Sequence, residues 1–109
     1  MKEITKVVVD AMGGDNAPLE IVKGAVEALE LRKELKVGKS DAIHVILVGK
    51  EDVINQELSG YTYNKEQISV VHTSEVIETA EPPVMAIRRK KDSSIVVGLK
   101  MVKDKEADA

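Results

Sequence analysis

The 109-residue chain is 43% apolar and 32% charged, with a formal net charge of −3 and no cysteine, phenylalanine or tryptophan. One core fits this length, since a chain of this size buries roughly two thirds of the surface its unfolded form exposes. The acidic balance argues against a nucleic-acid binder, which must neutralise many phosphates at once. The absence of Cys excludes disulfides, thiolate nucleophiles and Cys-ligated zinc, and leaves no positive sign of secretion. With no h-region after Met1 and no run long enough to span a bilayer, the expected location is cytoplasmic, with room for attachment to a membrane surface through parts outside this stretch.

Ile4 to Val9 is a compact apolar run that closes at Asp10. The stretch from Met12 to Pro18 then carries turn and helix-start signals. In the helix that follows, Val22, Ala25, Val26 and Leu29 fall at i, i+3, i+4 and i+7 and form a stripe able to cover a sheet. Ala42 to Val48, ending at Gly49, is a second strand. Glu51 to Leu58 reads as a short helix closed by Ser59-Gly60, and Ile68 to Val71 as a third strand. The intervals between strands suit crossover helices, so the pattern predicts a three-layer α/β fold with a parallel βαβαβ sheet. Pro82-Pro83 starts a helical turn that runs into Arg88-Arg89-Lys90-Lys91, and Asp92-Ser93-Ser94 resembles an N-cap cluster. The last helix places Ile95, Leu99 and Val102 on one face and Lys100, Lys103 and Lys105 near its carboxyl end. Gly98 inside it costs about 1 kcal/mol relative to Ala unless close packing requires it. In this topology the helix should deliver a fourth strand, so residues 1–109 are expected to form the N-terminal part of one larger α/β catalytic domain without an internal boundary, incomplete at its C-terminal end.

In an open parallel sheet the ligand crevice lies beyond the carboxyl ends of the strands, which gathers the loops after Asp10, Gly49 and His72 along one edge. Gly13 and Gly14 allow backbone N–H groups to approach an anion, although Gly-Gly after a strand more often marks a tight turn, and neither a dinucleotide fingerprint nor a P-loop Lys is present. The run Arg88 to Ser94 leads four cations into a helix start that can bind phosphate. Its bland alternative is a solvated helix end. Asp10 either positions a substrate group or bonds the amides of the next turn. His44 reads as a packed sheet-face residue, and His72 is better placed at a strand end. Two histidines without a clustered carboxylate do not make a metal site, and none is expected. Glu75, Glu78 and Glu81 read as solvated loop residues.

Three blocks, Val7-Val8-Val9-Asp10-Ala11-Met12-Gly13-Gly14-Asp15, Ser74-Glu75-Val76-Ile77 and Arg88-Arg89-Lys90-Lys91-Asp92-Ser93-Ser94, resemble in order and spacing the signature blocks of phosphate acyltransferases of the PlsX type. The resemblance covers essentially the whole chain and about the first third of such an enzyme. It implies a fold similar to isocitrate or isopropylmalate dehydrogenases and phosphotransacetylases, and a homodimer that makes acyl-phosphate from acyl-acyl carrier protein and inorganic phosphate for phospholipid synthesis, with no cofactor. It further implies that Arg88, Lys91, Ser93 and Ser94 hold phosphate, with Asp10, Gly13 and Gly14 lining the site. The groups acting on the thioester are expected outside this stretch. The family commonly carries His where this chain has Asn16, and Thr79-Ala80-Glu81 departs from the more acidic or Met-containing version expected before Pro82. Competing readings are a phosphotransacetylase-like enzyme of the same architecture and a non-enzymatic anion-binding domain.

Overall fold

The computed structural model describes residues 4–13, 16–35, 43–77 and 82–109; for residues 32–35 and 83 the backbone alone is described. Three strands, β1 (Thr5–Asp10), β2 (Ile43–Gly49) and β3 (Ile68–His72), form a parallel sheet in the order β1-β2-β3. The register sets Asp10 against Val48 and Gly49 against His72, so all three strand ends meet at one edge as the sequence predicts.

Between the strands run α1 (Leu19–Leu35) and α2 (Glu51–Leu58). They cover one face of the sheet, where Val22, Val26, Ile54 and Leu58 pack with Val45, Leu47 and Ile68. After β3 come α3 (Pro83–Arg89) and α4 (Ser94–Lys103), and Val97 and Met101 of α4 cover the opposite face over Ile46 and Val48. Alternate residues of β2 thus enter two different cores, which is why Val45 to Val48 is a continuous apolar run rather than an alternating one. The result is the expected three-layer α/β arrangement.

Gly98 lies where α4 crosses β1. A Cβ there would stand 3.0 Å from Val8 Cγ1, so close packing accounts for a glycine inside the helix. The Ile95, Leu99 and Val102 stripe does not face the sheet. It stays exposed, because Gly98 with Val97 and Met101 forms the packing side.

The helix ends in a Schellman arrangement, with Glu106 N–H bonded to Met101 O and Lys105 N–H to Val102 O, and Lys105 itself at φ 62. That turn sends Ala107–Ala109 alongside the outer edge of β1, where Asp108 N–H donates to Lys6 O (2.8 Å) and Val8 N–H to Ala109 O (2.7 Å). The chain leaving α4 therefore runs beside β1, although residues 107–109 form no strand of the three-stranded sheet. No helix among the described residues is long and apolar enough to cross a membrane.

Candidate anion site at the start of α4

Asp10 closes β1 at the sheet edge. Its Oδ1 accepts the Met12 backbone N–H at 3.0 Å, the local turn role expected of an Asp in this position. The same oxygen also accepts a hydrogen bond from Ser94 Oγ, 84 positions away and at the first turn of α4. Nothing local in the sequence signals that second bond. Oδ2 of Asp10 has no hydrogen-bond partner among the described residues, and a Cβ on Gly13 would lie 3.2 Å from it. Gly13 therefore leaves that oxygen approachable. Gly14 lies outside the described residues.

A second set of bonds joins the loop after β3 to the turn before α4. Asp92 Oδ2 accepts both the Ser74 hydroxyl (2.6 Å) and the Ser74 backbone N–H (2.8 Å). Glu75 N–H donates to Asp92 O, and Asp92 N–H donates to Glu75 Oε1 (3.1 Å each). Glu75 is therefore not the solvated loop residue expected from the sequence: it is half-buried and bridges to Ser93. Lys90 Nζ donates to Val76 O at 2.6 Å, which spends one cation of the basic run on holding the same loop. The Ser74 hydroxyl first, then its N–H, hold the Asp92 carboxyl below its ordinary value, with the charge of His72 helping and desolvation opposing.

Ser93 is the N-cap residue of α4 with extended backbone, and its carbonyl accepts the Val97 N–H. Its hydroxyl makes no capping bond. It is 1% exposed and has no hydrogen-bond partner among the described residues. A helix start leaves its first N–H groups without intrahelical partners and carries a partial positive charge, so an unpaired buried hydroxyl beside it adds a further polar group.

Arg88 and Lys91 fall short of the expected arrangement. The sequence places them on one helical face only if the helix from Pro83 reaches Lys91, but α3 stops at Arg89 and Lys90 takes φ −103, ψ 70. Lys91 thus sits in the turn between helices. Both side chains are exposed.

The two histidines are structural. His44 contacts Ser69 Oγ (2.9 Å) and Glu66 O (2.8 Å) through its two ring nitrogens, and His72 Nδ1 accepts the Glu51 N–H at 3.1 Å at the start of α2. The first fits the sheet-face reading. The second gives a strand-end residue a helix-capping part that the sequence does not reveal.

The three sequence blocks therefore converge on one place: Asp10 of the first meets Ser94, and Ser74 to Val76 of the second meet Lys90 and Asp92. The profile of the family described as "Fatty acid synthesis protein" matches residues 5–109. The chain is 54% identical over 104 residues to a phosphate acyltransferase of Alkaliphilus oremlandii, an alignment that covers 95% of this chain and 28% of that protein. It is 48% identical over 103 residues to one from Clostridium tetani (94% and 28%) and 50% identical over 104 residues to one from Syntrophomonas wolfei (95% and 30%). It spans less than a third of the length of these curated relatives. With almost its whole length matched and its three motif blocks folded together, the chain belongs to the fatty acid synthesis protein family.

Proposed function

We propose that the chain forms the phosphate-binding part of a phosphate acyltransferase, which makes acyl-phosphate from inorganic phosphate and an acyl group carried as a thioester on acyl carrier protein. In this reading residues 1–109 belong to one larger α/β catalytic domain, and the active protein is a homodimer. The convergence of the three blocks at the start of α4 is the observation that carries the reading.

Phosphate sits at the N-terminal turn of α4, held by its free N–H groups and the Ser93 hydroxyl, with Arg88 and Lys91 supplying charge from the preceding turn and helix end. Ser94 is already committed to Asp10, so its part is to hold that carboxylate in place. The Oδ2 of Asp10, left open by Gly13, accepts a hydrogen bond from the P–OH group of bound phosphate and so orients an ionised oxygen of it toward the thioester. Gly14 completes the floor in this reading. A phosphate oxygen attacks the thioester carbon, the carbonyl becomes a tetrahedral oxyanion, and the C–S bond breaks to release the carrier thiolate. Positioning and charge supply the catalysis, and the oxyanion donors come from outside these residues.

Steady-state kinetics of the intact enzyme test the reading. Loss of one charge-assisted bond to phosphate costs about 1.5–3 kcal/mol, so Arg88→Ala or Lys91→Ala should raise the phosphate KM roughly tenfold to a hundredfold and the carrier KM far less. An unchanged phosphate KM in both variants would remove these cations from the site.

A further inference from the structure

We propose that the outer face of α3 is a docking surface for an acidic protein that itself presents an apolar patch. Under the proposed function this partner is the acyl-bearing carrier, so the inference rests on that reading.

Among the α3 residues whose side chains are described, Ala86 alone is buried. Val84, Met85 and Ile87 are 63%, 48% and 42% exposed, and Arg88 and Arg89 follow them at the helix end, also exposed. A short helix that needs one inward residue gains nothing for its own fold from three outward aliphatic ones. Exposed aliphatic side chains interleaved with arginines on one short helix match the make-up of protein–protein interfaces, where Met and Arg are enriched.

Charge selects the partner. The chain carries −3 overall, yet α3 has no acidic residue and ends in Arg88-Arg89, with Lys91 just beyond. An acidic protein is therefore drawn to this local group of cations despite the negative net charge. Geometry gives the docking a purpose: Arg89 and Ser94 are separated only by the turn that Lys90 anchors to Val76, so a carrier seated on α3 delivers its thioester to the start of α4. A bilayer fits less well, because helices that lie in a membrane interface bury a larger apolar face than the three side chains offered by one seven-residue helix.

The test uses the intact enzyme with Arg89→Glu and, separately, Val84→Ser with Met85→Ser. None of these residues is placed in the phosphate site, and all are exposed, so thermal melts should match the unsubstituted protein. The expected result is a carrier KM raised about tenfold by each variant with an unchanged phosphate KM, and in Arg89→Glu a flatter dependence of carrier KM on salt. Fluorescence anisotropy of labelled acyl carrier protein should show the same weakening without turnover. If Arg88→Ala and Lys91→Ala both leave phosphate KM unchanged while Arg89→Glu weakens carrier binding, these cations leave the phosphate site and the docking surface stands. Unchanged carrier affinity in both α3 variants overturns the docking surface and leaves the phosphate reading intact. Loss of binding to phosphatidylglycerol vesicles with carrier affinity unchanged also overturns it, in favour of a membrane contact.

Discussion

Ser94 donates its hydroxyl proton to the carboxylate of Asp10 across 84 positions of sequence, joining the end of the first strand to the start of the last helix. Ser94 is 4% exposed and Asp10 half-buried, so the bond is shielded from competition by water. A hydrogen bond to a charged group contributes about 1.5–3 kcal/mol. Ser94→Ala should therefore lower unfolding free energy by about 1.5 kcal/mol, and Asp10→Ala by about 2 kcal/mol because it also frees the Met12 N–H. A double-mutant cycle from urea unfolding should give a coupling energy of about 1–2 kcal/mol, and a value near zero would mean that the two side chains act independently.

Asp92 supplies a pH dependence whose sign is fixed by its partners. Its carboxyl ionises more readily in the folded chain than in the unfolded one, because the ionised form accepts both Ser74 donors. The contribution is fully present above the ordinary Asp value of about 3.9 and is lost as pH falls through the lower folded value. Ser74→Ala removes the largest cause, so carbon-detected NMR should find the Asp92 titration moved up toward the ordinary value. Acid unfolding of this variant should begin at higher pH. A titration that does not move would show that the Ser74 hydroxyl does not govern it.

Lys105 occupies the left-handed position that ends α4, at φ 62. An L side chain there costs roughly 1–2 kcal/mol that glycine does not incur, partly offset by glycine's greater freedom when unfolded. Lys105→Gly should raise stability by about 1 kcal/mol in chemical denaturation, whereas Lys105→Val should lower it. A loss of stability in Lys105→Gly would mean that its side chain contributes more than its backbone conformation costs.

Strands and helices were legible to within a residue or two because each is encoded locally. Val22 and Val26 repeat at helical spacing, Val45 to Val48 of β2 are all apolar because both faces are covered there, and Glu51 to Leu58 stands between a strand end and Ser59-Gly60. The bonding of Glu75 to Asp92 and Ser93 is not legible in the sequence because it depends on the return of the chain 17 and 18 positions later. Arg88 and Lys91 would share a helical face only in a longer helix, and the chain leaves the helix at Lys90, whose Nζ is bonded to Val76.

By itself, then, the sequence determined the α/β pattern, the parallel order and the edge where the strand ends gather, since periodicity, turn chemistry and charge are properties of neighbouring residues. Tertiary structure alone decided which of those residues meet: that Ser94 is committed to Asp10, that Asp92 and Lys90 fasten the loop after β3, that the Ser93 hydroxyl is buried without a partner among the described residues, and that α3 turns its aliphatic side chains outward. Hydrogen bonds between distant segments depend on placements of an ångström or less. Those placements are set by how α4 packs on the sheet, with Gly98 against Val8, and no local spacing encodes them.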